Sequence, residues 1–331
     1  FSMKLKYKIL RNTLYVTLGL SFSSVLMAAD CSINYDQDTT ISADCDGFAL
    51  ARNQDFDISI ITGVNITPFL GGSDNIIGLN FDMSGVLTNN GTIENTYGNT
   101  AINLSYAPVT VNTIVNTGNI TASRNTINVG LGSTLNLLSN AGVIYSTNAN
   151  SIYNLGSINS INNSGQIQSN SGAIYNYNSG TLSSLTNTNR ISASVYAIDN
   201  EDTLGTITNS GTISASLAYA IHNAYGNIES ITNTSTGEIN SGSDTIFNGS
   251  GRSITSLINQ GDIDASDDAA ILNNGTITTL NNSGNIYATE GIGIENDGGS
   301  ATITNLTNSG NISAGTAISN TSGTIETITN T

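Results

Sequence analysis

The chain has no tryptophan, one histidine, two prolines and two cysteines, and each scarcity narrows what it can be. With His222 as the sole imidazole, any Ser-His-Asp or Cys-His arrangement has a single base to draw on. No zinc-ligand spacing and no phosphate-binding loop occur. Lysine is confined to Lys4, Lys6 and Lys8. From Asp30 onward the only cations are Arg52, Arg124, Arg190 and Arg252, facing all 24 acidic residues. A surface that acidic repels phosphate backbones, so nucleic acid and anionic lipid are poor partners. The expectation is a protein that is not an enzyme and uses no cofactor.

The first 29 residues differ from the rest. Lys4, Lys6, Lys8 and Arg11 form a basic region after Met3, Leu14 to Met27 is mostly apolar, and Ala28 and Ala29 are small. That order is the layout of a secretory signal peptide rather than a membrane span. No later run is long and apolar enough to cross a bilayer as a helix. An exported chain meets an oxidising compartment, where Cys31 and Cys45 can pair as a disulfide; two free thiols are the alternative.

Low charge and abundant Asn, Ser, Thr and Gly suggest disorder, yet 38% of residues are hydrophobic and recur periodically. Units open near Asn89, Asn116, Asn140, Asn163, Asn187, Asn209, Asn233, Asn259, Asn282 and Asn308, about 24 residues apart. Two columns are isoleucine throughout, from Ile93 to Ile312 and from Ile102 to Ile318. Two more, Val111 to Ile325 and Ile114 to Ile328, mix Ile, Leu and Val. Polar neighbours flank each apolar residue, the alternation of short strands with one buried face. Such strands cannot bury that face alone, but stacked units can. A leucine-rich repeat has a similar period but needs Leu-x-x-Leu-x-Leu and a helical segment, which this chain lacks.

The expected fold is therefore all-β: a single-stranded parallel β-helix, right-handed by analogy, with three short strands per turn and about ten turns. Residues 1–29 are read as the signal peptide, 30–86 as an N-terminal cap with the first irregular turns, and 87–331 as the repeat. An unpaired first rung invites other chains, so a cap is expected there. The chain stops inside a unit, at Asn330, and a fragment of a longer protein is the expectation.

Several surface features follow from the register. Asn154, Asn176, Asn200, Asn223, Asn248, Asn273, Asn296 and Asn320 recur two residues after the second isoleucine and should stack as a hydrogen-bonded ladder. One position earlier, an outward column carries Tyr153, Tyr175, Asp199, His222, Phe247, Leu272, Glu295 and Ser319. Tyr153, Tyr175 and Phe247 are candidate ligand-binding residues for a glycan or receptor. The alternative is aromatic packing on a strand surface, with Asp199 and His222 interrupting the stripe. Asp262, Asp264, Asp267 and Asp268 crowd one turn as calcium ligands would, or as a solvated loop does. Thr276/Thr278 and Thr302/Thr304 are the only full Thr-x-Thr pairs around the third column, as an ice- or polysaccharide-binding solenoid would present.

A leader followed by Asn-x-Gly-x-Ile units, as in Asn-Ser-Gly-Thr-Ile213 and Asn-Ser-Gly-Asn-Ile286, resembles the passenger region of Gram-negative type V autotransporters over Leu87 to Thr331. The resemblance implies a passenger stalk secreted or displayed at the cell surface, acting in adhesion to a host-cell receptor or glycan. It also implies an outer-membrane β-barrel that exports the passenger, whose amphipathic strands are absent from this chain. The Gly-Asp-Ser-Gly signature of serine-protease passengers is absent too. A stalk serving an enzyme or toxin that lies beyond Thr331 is the alternative.

Overall fold

Short apolar-polar strands joined by Asn-x-Gly turns have no tight hairpin to fold back on. They pair instead with their own equivalents one unit away. The computed structural model describes residues 31–49, 54–68, 75–105 and 108–331 and is an all-β parallel solenoid of about eleven turns. The leader expected at residues 1–29, and Arg52, lie outside the described residues.

Among the described residues every strand pairing is parallel, in one sheet of 13 strands and another of 21. In a central turn, Thr203–Asn209 lies in the first sheet, and Thr212–Ala215 and Ile221–Asn223 lie in the second. Asn227–Asn233 then opens the next turn. Near the end of the chain the two stretches of the second sheet run together, as Asn285–Asn296 and Asn311–Asn320. With rungs about 4.8 Å apart, eleven turns make a rod of roughly 50 Å.

Register sets like on like. Ile213 faces Ile239, Ile221 faces Ile246, Leu204 faces Ile228, and Ile207 faces Ile231. In the first nine copies all four columns are buried. Each such isoleucine contributes roughly 1.5–3 kcal/mol by leaving water. In the tenth copy Ile312, Ile318 and Ile325 are only partly covered, and Ile328 is 54% exposed.

The third and fourth columns stand three residues apart, an odd spacing for a strand of period two. Both lie on one strand. Leu204 and Ile207 point inward while Gly205 and Thr206 both face out, and the pairing passes from Leu204↔Ile228 to Thr206↔Ser230 without a partner for Gly205. A bend at that residue restores the inward aim of Ile207.

The segment before Leu87 also carries turns. Thr39–Ile41 pairs with Ile58–Ile60, and Ile58 faces Leu87. Ile58, Ile60, Ile66 and Ile77 are buried like the later columns. These turns bring the count above the ten units legible in the repeat. Cys31 and Cys45 are joined as a disulfide, and Cys45 bridges to Ile66 in the following turn.

The glycine of the Asn-x-Gly turn is required by close approach. A Cβ at Gly118 would lie 2.0 Å from the Gly91 carbonyl oxygen, and one at Gly142 would lie 2.0 Å from that of Gly118. The same crowding recurs at Gly165, Gly284 and Gly310, where the gap would be 2.1 Å. Glycine removes that clash, and in the ten units only Asn189 stands at the equivalent position with a side chain.

Candidate functional site

Two amide ladders run along the axis and fix where every outward side chain sits. In the first, Asn89, Asn116, Asn140, Asn163, Asn187, Asn209, Asn233, Asn259, Asn282, Asn308 and Asn330 each pass an Nδ2–H to the Oδ1 of the next, at 2.7–2.9 Å. The second is the ladder expected from Asn154 to Asn320, with seven bonds of 2.7–2.8 Å. Most members are fully buried. Each Nδ2 but that of Asn330 in addition reaches a backbone carbonyl, as Asn209 does to Glu238 at 3.1 Å. The first ladder uses the asparagines that mark the start of each unit. Their side-chain role was missed in the sequence because a turn-opening Asn already has a local use.

Next to the second ladder lies the aromatic column. Tyr153 and Tyr175 meet edge to face with centroids 5.7 Å apart, and Tyr177 stacks on Tyr153 at 5.9 Å. Further along, Tyr196, Tyr219, His222 and Phe247 form a second cluster. His222 lies 4.5 Å from Tyr196, 4.8 Å from Tyr219 and 5.3 Å from Phe247, all stacked. His222 therefore belongs to the stripe instead of breaking it. Asp199 separates the two clusters and accepts a hydrogen bond from His222 Nδ1 at 2.8 Å. Tyr175 donates its hydroxyl to Glu201 Oε1 at 2.6 Å.

Tyr177, Tyr196 and Tyr219 were not singled out from the sequence. Tyr196 and Tyr219 share one position, two residues before the second isoleucine, and that repetition was the available signal. In the second cluster each ring spends a face on a neighbour. Burial raises the hydroxyl pKa of Tyr153, Tyr175, Tyr196 and Tyr219 above the ordinary 10.0. At Tyr175 the bond to Glu201 adds to the rise. These phenols stay neutral donors at any ordinary pH.

The four aspartates that crowd one turn in the sequence are not brought together as calcium ligands would be. Asp262 accepts from Asn285 Nδ2 at 2.7 Å and Asp268 from Ser243 Oγ at 3.0 Å. Among the described residues no three acidic, histidine or cysteine side chains are placed to hold a metal ion. Nearby, burial raises the Asp244 carboxyl above its ordinary value, the Ala269 N–H lowers it, and Asp268 raises it.

Thr278 and Thr304 fall at the strand bend, outside the pairing register that joins Thr276 to Thr302. The aligned hydroxyl pairs of that sheet lie elsewhere, at Ser184/Thr186, Thr206/Thr208 and Ser230/Thr232.

Fold and surface together define a parallel β-solenoid with an outward aromatic stripe. No protein-family model matches the chain, and no characterised protein or solved structure of significant similarity is found.

Proposed function

We propose that the chain is the passenger stalk of an autotransporter-type secretion system, exported by its leader and shown at the cell surface or released, where it acts in adhesion rather than catalysis. The observation that carries this reading is a parallel solenoid of about eleven turns in which buried positions are spent on packing and ladders. Such a rod spreads contacts along its length and resists unfolding.

The reading includes a right-handed coil with three strands per turn, its first turns acting as a cap. It also includes an outer-membrane β-barrel that carries the passenger out. The contact surface we assign is the stripe at Tyr153, Tyr175 and Phe247. With ring faces engaged by neighbours, a host protein surface meeting ring edges suits it better than a sugar stacked flat.

Expression in a Gram-negative host tests the first half. The leader should be removed after Ala29 and the chain should reach an extracytoplasmic compartment; a cytoplasmic product with its leader intact would sink the proposal. For the second half, beads coated with the purified chain should bind host-cell monolayers. Replacing Tyr153, Tyr175 and Phe247 together by serine should cut that binding severalfold. Equal binding by coated and uncoated beads removes adhesion as the function.

A further inference from the structure

A polar notch lies on the second sheet, lined by no member of the two aromatic clusters. One outward column reads Tyr145, Gln168, Ser192, Ser214 and Asn240, each opposite the next in register. The two serines are the shortest side chains of that run, so the column dips between Gln168 and Asn240. The dip spans about 10 Å along the axis, two rungs. It opens into a cavity of about 460 Å³ that Ala193 and Ala215 also line.

The walls are unusual for this molecule. No carboxylate is among the residues that line the notch, although acids outnumber cations sixfold after the leader; Glu238, just outside it, accepts from Asn240 Nδ2 at 2.5 Å. Arg190, one of only four arginines there, stands at its rim. Its Nε donates to Ser192 Oγ at 3.0 Å, which ties the guanidinium to the column. Its terminal nitrogens have no protein partner among the described residues. At the far end Tyr145 is tethered through its hydroxyl to Asn170 Oδ1 at 3.2 Å.

We propose that this notch binds a saccharide unit bearing a carboxylate. Its lining serines and Gln168 supply hydroxyl and amide groups matched to sugar hydroxyls. The open edge of Arg190 takes the carboxylate through two parallel hydrogen bonds, as a planar guanidinium does and an ammonium does not. A neutral sugar would leave that cation without a counterpart, and a cationic ligand would be drawn to the acidic surface elsewhere. The site does not depend on display at a cell surface and stands if that reading falls.

The test is calorimetric titration of the full chain, at low salt, with tetragalacturonate and with its methyl-esterified, uncharged form. The acid should bind about tenfold more tightly than the ester. Arg190→Gln should erase that preference, Arg190→Lys should restore little of it, and Arg124→Gln should leave it intact. Ser214→Tyr, which fills the notch from an outward position, should abolish binding of both forms. Circular dichroism confirms that each variant is folded. Equal affinity for acid and ester overturns the assignment, as does unchanged binding by Arg190→Gln. No binding of the acid at millimolar concentration overturns it too, and binding of a sulfated galactan but not the uronate overturns the carboxylate.

Discussion

Replacing Asn209 by alanine tests whether the first amide ladder holds the rod together. Asn209 is fully buried. Its Nδ2 reaches Asn233 Oδ1 at 2.9 Å, Gly211 O at 2.9 Å and Glu238 O at 3.1 Å, and its Oδ1 accepts from Asn187 Nδ2 at 2.8 Å. Two amide hydrogens shared over three acceptors, plus one accepted bond, amount to three hydrogen bonds. At about 1 kcal/mol net for each, the loss is roughly 3 kcal/mol. The ladder oxygen of Asn233 is then left buried without its donor, which pushes the figure upward; a water in the vacated space pulls it down. Asn159→Ala is the control. Its bond to Asn136 Oδ1, at 2.9 Å, is exposed, and its removal should cost less than about 0.5 kcal/mol. Because rungs couple mainly to their neighbours, urea melts should be read beside native-state hydrogen exchange at the Ser210 and Thr234 amides, which flank the site. If Asn209→Ala costs no more than Asn159→Ala, the ladder bonds merely replace bonds to water and the argument fails.

Two further outcomes follow from burial. Ile213→Ala, in mid-column and fully buried, should destabilise by about 2–5 kcal/mol. Ile328→Ala, at 54% exposure, should change stability by less than about 1 kcal/mol; similar losses at the two sites in chemical melts would contradict the packing described. At Asp244 burial holds the carboxyl pKa above 3.8 in the native state, so the folded chain binds that proton more tightly than the unfolded chain. The resulting stability is full below 3.8 and is lost as pH rises through the raised native value. Asp244→Asn keeps an acceptor for the Ala269 N–H, so it should raise the thermal midpoint more in neutral than in mildly acidic buffer; an increment independent of pH refutes this.

The isoleucine columns and the Asn154 to Asn320 ladder were legible because a period of about 24 residues is one turn of the coil. In a parallel solenoid, residues one period apart become neighbours. Before Leu87 the turns were legible only as irregular ones, because Ile66 and Ile77 occupy equivalent buried positions without the Asn-x-Gly marks that flag later units. The stripe was legible only in part. Tyr153, Tyr175 and Phe247 share a column, whereas Tyr177, Tyr196 and Tyr219 reach it from positions two or three residues away, through side-chain directions that a column count does not contain.

Periodicity and alternation thus determined the fold class, the buried columns and the rung-to-rung register, since all three depend only on which residue type recurs at which interval. The tertiary structure alone decided the bend that places two columns on one strand, the entry of His222 into the ring stack, and the notch at Ser192 and Ser214. Those depend on side chains of different lengths and directions meeting across rungs, and a dip in a surface exists only relative to its taller neighbours.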